Sequence, residues 1–322
     1  MTKRIILYLT GTLLISFMVE GQELDYGSGY HTVIRDNPAI SGSEGDAVLK
    51  LSYMNHYPGR NFNLQSFFLS YDSFFPVLHG GVGAYLSNDY LGGIINDLRG
   101  GFSYSYHLQA DRDIFINAGL GASFLHRGLN FQNVILPDQI DPIYGISLPS
   151  AEVVDIRGHT VFDVSTGVML YAGRYFCGLS ISHLTQPDLT GNGSDTERLK
   201  RKYLASIAGT FMIGNKQELL ITPVITGEIQ DGRIKGGAGG AFSLSLFSVN
   251  AFITTGTGGD LNLRTGFTLM KGTTGIFYSY TFNISSENDL LPFSLMHQAG
   301  LSICLFNVDK RKTIKTIKFP IL

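Results

Sequence analysis

The sequence predicts an all-β protein: a transmembrane antiparallel β-barrel of about 14 strands, preceded by an N-terminal signal peptide. Three observations predict it. Apolar and polar residues alternate along most of the chain. Only 16% of the residues are charged, whereas a soluble domain carries about 25%. The predicted strands are also long: a strand that crosses a bilayer needs about 9–11 residues, against about five or six in soluble proteins.

The N-terminus has the layout of a secretory signal peptide. Lys3 and Arg4 precede an apolar run that ends at Val19, and the small residue Gly21 follows. The alternative is a membrane anchor, but a spanning helix needs about 20 apolar residues. We therefore expect cleavage after Gly21.

The predicted organisation has four parts. They are a signal peptide (1–21), a periplasmic N-terminal segment (22–45), an outer-membrane β-barrel (46–306) and a basic periplasmic tail (307–322).

Fourteen segments alternate as strands do, with successive side chains on opposite faces. They lie near 46–57, 61–73, 80–88, 95–108, 113–127, 160–172, 174–184, 201–213, 217–230, 233–246, 248–255, 260–270, 273–283 and 297–306. In the 61–73 segment the pattern breaks near Ser66–Phe68, which indicates a bulge or a section covered by protein.

The clearest hairpin lies at the centre of the chain. Its apolar face carries Phe162, Val164, Val168, Leu170, Tyr175, Cys177, Leu179 and Ile181, and its other face carries Asp163, Ser165, Gly167, Gly178, Ser180 and Ser182. A soluble sandwich also alternates, but it shows Lys, Glu and Thr to water. Here the polar face is small, which suits a filled or narrow lumen, and the apolar face is rich in Tyr and Phe, which suits lipid.

Loop lengths support the barrel independently. If the first strand starts in the periplasm, the three longest connections, 128–159, 185–200 and 284–296, all lie outside. Outer-membrane barrels have short periplasmic turns and longer external loops. The loop 128–159 is long enough to fold inward as a plug or outward as a docking lid.

Charged residues on the predicted lumenal faces are expected to pair with one another and fill a narrow pore, or to form a selectivity surface. They are Lys50, Asp97, Arg99, Asp163, Glu228, Lys235 and Arg264. The glycine clusters at 80–83, 236–240 and 256–259 open no helix, so they predict close strand packing and tight turns rather than phosphate binding.

Nothing in the sequence favours an enzyme, and we expect no cofactor. Ser182, His183 and Asp188 form the single local set of catalytic residue types, but adjacent strand residues face opposite sides, so Ser182 and His183 should diverge. Cys177 and Cys304 fall on different faces and are expected to be free thiols. With a net charge of −2, no nucleic-acid partner is implied.

A basic tail follows the last strand. The predicted periplasmic docking residues are Lys310, Arg311, Lys312, Lys315 and Lys318, set against one acid, Asp309. The tail is either a disordered basic end or a docking segment for a periplasmic partner.

Several motifs resemble those of the PorP/SprF family, outer-membrane components of the Bacteroidota type IX secretion system. Asn37-Pro38-Ala39-Ile40-Ser41-Gly42, just before the first strand, is similar to the family's N-P-A-x-x-G signature. The central hairpin resembles the family at Asp163, Gly167, Tyr171, Gly178, Ser180, His183, Gln186 and Pro187. The ending Ile317-Lys318-Phe319-Pro320 is also similar.

The resemblance implies an outer-membrane component of the secretion and gliding machinery in a Gram-negative Bacteroidota bacterium. It implies help in the export or surface attachment of cargo such as adhesins that carry a C-terminal sorting domain. The expected partners are this cargo, other secretion components in the outer membrane and periplasm, and the lipid bilayer. The alternative is a passive outer-membrane porin or a hydrophobic-solute transporter.

Overall fold

The structure is a computed structural model that describes residues 33–56, 64–130, 139–141, 145–146, 158–189, 198–214, 219–257, 259, 261–284 and 296–305. One antiparallel sheet accounts for most of these residues and closes on itself. Its segments are β1 Ala47–His56, β2 Leu64–Phe75, β3 Gly80–Leu91, β4 Ile95–Asp111, β5 Ile114–Leu129, β8 His159–Ala172, β9 Tyr175–Ser182, β10 Lys202–Gly209, β11 Phe211–Ile213, β12 Leu219–Gln230, β13 Arg233–Leu244, β14 Phe247–Gly256, β15 Leu261–Lys271, β16 Thr274–Asn283 and β17 Met296–Leu305.

Two pairings close the ring. The first strand, β1, pairs with the last, β17, and β10 pairs with both β9 and β12. The sheet has 15 segments, and β10 and β11 are two parts of one strand, so the barrel has 15 − 1 = 14 strands. Among the residues that the structure describes, this closure leaves the barrel without an open edge, as the bilayer interior requires. The predicted all-β antiparallel barrel is confirmed, and each of the fourteen predicted segments corresponds to one barrel strand.

The interruption between β10 and β11 has a local cause. The paired register stops at Ala208, opposite Val224, and resumes at Phe211, opposite Ile221. Pro223 lies in the gap on β12, and proline has no backbone N–H to donate to a neighbouring strand. Two residues on each strand, 209–210 and 222–223, therefore lack pairing across this interface, which we call the seam.

The two faces of the sheet have the predicted chemistry. Phe162 is 76% exposed on the outside of the barrel, while Met169 is fully buried on the inside. Other outward side chains that are large and exposed include Leu51, Phe102, Leu120, Leu179, Ile207, Ile225, Ile253 and Phe267. This apolar surface is the one that meets lipid.

Strand β2 has no bulge in its pairing with β1 or β3. Of the two explanations for its broken pattern, coverage by protein is the correct one. Phe67 faces outward, and Phe68 faces the lumen, where it is 1% exposed.

The connections differ at the two ends of the barrel. At the short-turn rim, strands are joined by 76–79, 112–113, 173–174, 214–218, 245–246 and 272–273. At the long-loop rim lie the three longest connections, 130–158, 183–201 and 284–295. The first of these contains a separate two-stranded sheet, β6 Ile140–Asp141 with β7 Gly145–Ile146.

Helical structure among the described residues is short. It comprises α1 (Val33–Asp36) and two 3-10 turns, Pro38–Ile40 and Pro76–Leu78. In the part of the chain that the structure describes, no helix has the length and apolar character needed to cross a membrane.

Candidate functional site: a plugged lumen

Residues 33–46, which we call the plug, lie inside the barrel against its wall. They include all of the described part of the segment 22–45, which was predicted to be periplasmic. The chain folds locally because Asn37 caps the 3-10 turn: its Oδ1 accepts a hydrogen bond from the Ala39 N–H at 3.0 Å, and Pro38 occupies the first position of the turn. Asparagine caps and a following proline are both favoured at the start of a helical turn.

The side chain of Asn37 packs into a recess in the central hairpin. Its Nδ2 donates to the sulfur of Met169 at 3.3 Å. A Cβ at Gly167 would overlap the Asn37 Oδ1, and one at Gly178 would overlap the Met169 sulfur and lie 3.3 Å from the Asn37 Nδ2. Glycine at 167 and 178 is therefore what admits this asparagine.

Side chains of the barrel wall donate hydrogen bonds to backbone carbonyls of the plug, whose described residues pair with no strand. The carbonyl of Ala39 accepts from the Ser105 hydroxyl at 2.8 Å and the Asn117 amide at 3.5 Å. The carbonyl of Ser41 lies 3.0 Å from His107 Nε2. The inward polar residues of β4 and β5 thus bind the chain's own N-terminal segment.

Gly42 lets the plug turn toward β1. Its φ is +69°, and its N–H donates to the Asp72 carboxylate at 2.9 Å. A Cβ at Gly42 would lie 2.5 Å from the Cα of Gly81, and a Cβ at Gly81 would overlap the Ser41 carbonyl. The glycine cluster at 80–83 therefore serves close packing, as predicted, and what it packs against is the plug.

Ion pairs fasten both ends of the plug. Asp36 Oδ1 lies 3.0 Å from Lys202 Nζ at the long-loop end of β10. Glu44 Oε1 lies 2.8 Å from Lys50 Nζ on β1. All four side chains are at most 17% exposed.

Apolar contacts fill the remaining space around the plug. Ala39 and Ile40 belong to a buried cluster with the inward residues Phe115, Met169, Tyr171, Phe176, Ala208, Val224 and Phe252. Ile34 belongs to a second cluster with Met54, Phe68 and Met296. These inward apolar residues on otherwise polar faces were the sequence signal for a plug, and sequence reasoning missed it.

On the long-loop side of the plug lies a charged cluster. Arg127 donates two hydrogen bonds to Asp97, at 2.8 and 2.7 Å. Arg99 lies 3.9 Å from both Asp89 and Asp97. The predicted mutual pairing of lumenal charges is confirmed for Asp97 and Arg99, and Lys50 pairs with the plug.

Asp163 and His183 form a second pair in the same region. His183 Nδ1 donates to Asp163 Oδ2 at 2.7 Å, and the Thr185 hydroxyl donates to Asp163 Oδ1 at 2.8 Å. Burial lowers the pKa of His183 and outweighs the opposing effect of the bond to Asp163. The ring is therefore neutral near pH 7, with its proton on Nδ1.

The prediction that Ser182 and His183 diverge is wrong. Both are buried inside the barrel, at 6% and 7% exposure. Strand β9 ends at Ser182, and His183 has a φ of +60°, so the strict alternation stops there. The His183 ring is turned to Asp163.

The chain after His183 folds over the long-loop end of the lumen, where its described residues 184–189 and 198–201 form what we call the roof. Gln186 has a φ of +47°, and the Pro187 carbonyl accepts from the Leu199 N–H at 3.0 Å. Leu199 is buried with Leu125 of β5. Between this roof and α1 lies a polar cavity of about 40 Å³ lined by Arg35, Asp36, Arg99, Asp163, His183 and Lys202, which has room for a few water molecules.

The structure brings the signature residues of the two regions together. Asn37, Pro38, Ala39 and Gly42 lie in the plug. Asp163, Gly167, Tyr171, Gly178 and Ser180 lie on the inward face of the hairpin, and His183, Gln186 and Pro187 form the turn at its mouth. The signal peptide (1–21) and the basic residues Lys310, Arg311, Lys312, Lys315 and Lys318 lie outside the described residues.

An apolar exterior and a closed antiparallel ring, with residues 33–46 inside the lumen, define an integral membrane β-barrel protein. A family model described as "Type IX secretion system membrane protein PorP/SprF" matches residues 30–294. The chain therefore belongs to the PorP/SprF family, and it is an outer-membrane component of type IX secretion. Outer-membrane barrels have short periplasmic turns and longer external loops, which is the orientation that the loop lengths predict for this chain.

A comparison with curated proteins found no match. Among solved structures, the chain is similar to Omp33 of Acinetobacter baumannii, with 6% identity, a TM-score of 0.47, and coverage of 81% of this chain and 100% of that one. It is also similar to the toluene transporter TodX of Pseudomonas putida, with 11% identity, a TM-score of 0.47, and coverage of 85% and 93%. The CymD monoaromatic hydrocarbon channel has 11% identity, a TM-score of 0.49, and coverage of 89% and 95%.

Proposed function

We propose that this barrel helps to export cargo proteins, or to hold them at the cell surface, as part of the type IX secretion and gliding machinery. The cargo would include adhesins with a C-terminal sorting domain. The barrel would also contact other secretion components in the outer membrane and periplasm. Its role is to bind and position proteins, and it has no enzymatic activity.

The observation that carries the proposal, given the family, is the plug. Asn37 to Gly42 is bonded to wall side chains of β2, β4, β5 and β8, and ion pairs hold it at both ends. A lumen occupied in this way is poorly suited to the free passage of small solutes. The alternative of a passive porin or hydrophobic-solute transporter is therefore less well supported.

A barrel whose lumen holds residues 33–46 still offers its two rims for docking. We assign cargo to the long-loop rim, where the connections 128–159, 185–200 and 284–296 lie. The described parts of that rim include the β6–β7 hairpin and the roof made by Pro187 and Leu199. The basic tail, 307–322, is assigned to the periplasmic side, where its five cations suit an acidic partner surface.

The test is deletion of the gene in its host, followed by comparison of surface-retained and released proteins. Loss of one or more large adhesins from the surface, restored by the wild-type gene, is the expected result. A change confined to small-solute uptake would overturn the proposal and favour the transporter. Conductance of the purified barrel in a planar bilayer gives the second readout: a large open pore would also favour the transporter.

A complementing gene that lacks residues 307–322 tests the periplasmic assignment separately. We expect the truncated protein to fold, as shown by its heat-dependent gel mobility, and to lose association with periplasmic components. Substituting Lys310, Arg311, Lys312, Lys315 and Lys318 by Gln in the full-length chain should have the same effect. If the tail without these five cations associates as well as the wild type does, the electrostatic contact is wrong.

A further inference from the structure

Four neighbouring strands carry a graded set of side chains on the outside of the barrel. Strands β2, β1, β17 and β16 pair in that order. Near the long-loop rim their inward residues are buried: Ser66, Met54 and Gln298 are at most 3% exposed. Because successive residues of a strand face opposite sides, the neighbours of these residues face outward.

The strand register arranges the outward residues in three rows of cross-strand partners. The polar row, nearest the long-loop rim, consists of Gln65, Asn55, His297 and Tyr280. The aromatic row, two residues further along each strand, consists of Phe67, Tyr53, Ala299 and Tyr278. The aliphatic row, two residues further again, consists of Leu69, Leu51, Leu301 and Ile276. The outer face therefore changes from hydrogen-bonding groups to rings to hydrocarbon with distance from the rim.

The aromatic row has a gap at Ala299. Tyr53 and Tyr278 lie on the strands on either side of it, two strand spacings or about 9.5 Å apart. The Tyr53 ring packs on Phe67, with centroids 4.9 Å apart, and the Tyr278 ring lies 6.0 Å from that of Phe267. Both rings thus have partners on the side away from Ala299. Since Ala299 is itself exposed, it forms the floor of a slot between the two tyrosines.

The polar row has hydrogen-bonding capacity that the barrel does not use. The Oδ1 atom of Asn55 accepts no hydrogen bond from the residues that the structure describes. With the Tyr278 hydroxyl donating to His297 Nδ1 across 2.7 Å, the proton of the imidazole is on Nε2, where it is a donor. A polar group on a lipid-facing surface costs free energy unless it finds a partner. The polar row therefore requires hydrogen-bonding groups from the membrane.

The residue types of the three rows indicate what kind of molecule supplies those groups. The polar row contains no Lys, Arg, Asp or Glu, whereas phosphate groups are bound best by Arg and Lys. Amides, hydroxyls and imidazole both donate and accept, as the hydroxyls of a sugar do, and the C–H faces of a sugar ring can pack on aromatic side chains. The aliphatic row then continues into the apolar surface that meets acyl chains. The complementary ligand is an amphiphile with a sugar headgroup.

We propose that the three rows form a binding site for a glycolipid of the outer leaflet. Its sugar headgroup bonds to the polar row beside the Ala299 slot, and an acyl chain lies along the aliphatic row. The leaflet is the outer one because the loop lengths place the long-loop rim outside. The site is continuous with the lipid-facing surface of the barrel and leaves both rims free, so it does not depend on the cargo proposed above.

Tryptophan fluorescence tests the site, because the chain has no native tryptophan. Tyr53→Trp places a reporter beside the slot, and Phe162→Trp places a control reporter on the outer face of β8, where Phe162 is 76% exposed. Each full-length variant is reconstituted in phosphatidylcholine vesicles that contain a glucosyl diacylglycerol with brominated acyl chains, which quench tryptophan on contact. Phosphatidylcholine with the same brominated chains is the reference. We expect the glycolipid to bind several-fold more strongly than the reference at position 53 and equally at position 162.

Substitutions in the rows should remove this preference. Asn55→Leu and His297→Phe keep side chains of similar size without the hydrogen-bonding groups, and Ala299→Leu fills the slot. Each is added to the Tyr53→Trp reporter and should bring the two lipids toward equal quenching. Thr255→Val, which removes an outward hydroxyl on β14, is the control and should leave the preference unchanged. Heat-dependent gel mobility verifies that every variant is folded.

Three results would overturn the proposal. The first is equal quenching by the two brominated lipids at position 53. The second is a preference for brominated phosphatidylglycerol over the glycolipid, which would indicate a phosphate site. The third is loss of the preference in excess soluble glucose, which would show that the site binds free sugars and that the acyl chain contributes nothing.

Discussion

The side-chain oxygen of Asn37 occupies the position where any residue at 167 other than glycine would place its Cβ. Asn37 precedes the first barrel strand and Gly167 lies in the middle of β8, so this contact joins the plug to the central hairpin. The Asn37 amide also bonds Met169. The two signature regions of the sequence therefore meet inside the barrel. The absence of a side chain at Gly167 is what allows the plug to pack against β8.

Gly167→Ala should displace the plug. The added methyl overlaps Asn37 Oδ1, and overpacking of this kind costs about 1–3 kcal/mol. We expect a lower free energy of unfolding, measured from urea titrations in which gel mobility reports the folded fraction. We also expect a higher conductance in a planar bilayer.

The matched control for that substitution is Gly227→Ala. Gly227 also lies in a barrel strand, but a methyl there would meet nothing within 4 Å. Its stability should stay within about 1 kcal/mol of the wild type, since restricting the unfolded chain is a small effect. Equal behaviour of the two variants would show that the contact with Asn37 does not hold the plug.

Neutralising the carboxylates of Asp36 and Glu44 should weaken the attachment of the two ends of the plug to the barrel wall. Asp36→Asn removes the charge paired with Lys202, and Glu44→Gln removes the one paired with Lys50. Leaving a largely buried cation without its partner costs about 1–3 kcal/mol. We expect conductance to rise with each substitution and further in the double variant. Glu228→Gln, which neutralises an inward carboxylate on β12, is the control and should leave conductance near the wild-type value.

The backbone at His183 predicts an order of tolerance among substitutions. Its φ of +60° is better tolerated by asparagine than by most residues, and an asparagine amide can also donate to Asp163. His183→Asn should therefore be milder than His183→Ala, which loses the hydrogen bond and leaves Asp163 less well satisfied, at a cost of about 1–3 kcal/mol. Thermal unfolding followed by gel mobility measures both. An alanine variant as stable as the asparagine variant would refute the role of the bond.

Acidification should weaken the fold through the same histidine. Burial lowers the pKa of His183 in the folded protein, whereas in the unfolded chain it titrates near about 6.5. Between these two pKa values the unfolded state binds more protons than the folded state. The stability that comes from the neutral, buried His183 is therefore present above about pH 6.5 and is lost as the pH falls. Asp163, Lys202 and Arg99 are the charged groups that act on it. The difference in unfolding free energy between wild type and His183→Asn should shrink between about pH 7 and 5; a flat difference would contradict this.

Most of the barrel could be predicted because its signal is local. Period-two alternation is imposed within each strand by the two environments it separates, lipid and lumen, so Phe162 and Asp163 reveal their faces without knowledge of any partner. Loop lengths then separate the two rims. The seam at Pro223 still fell inside one predicted strand, because both parts of that strand keep the same alternation.

The plug could not be predicted from the sequence, because its signal is not local. Its contacts join residues far apart in the chain: Asn37 and Met169 are 132 positions apart, and no periodicity links them. The local traces were Phe68 and Met169, apolar residues at inward positions, and the broken pattern near Ser66. His183 shows a second limit, since alternation assumes an extended backbone and the left-handed φ at that residue ends it.

The pair Asp97–Arg127 should behave as one unit. Arg127 binds both carboxylate oxygens of Asp97, whose side chain is 2% exposed, and removing one partner of a buried pair costs about 3–5 kcal/mol because a buried charge remains. Arg127→Met should therefore destabilise the barrel strongly. Adding Asp97→Asn removes the carboxylate that has lost these two hydrogen bonds and keeps only Arg99, at 3.9 Å. The double variant should therefore lose much less than the sum of the two single losses. Urea unfolding of the four proteins gives the coupling free energy. If the losses simply add, the two residues act independently, and the short distances between them contribute little to holding β4 against β5.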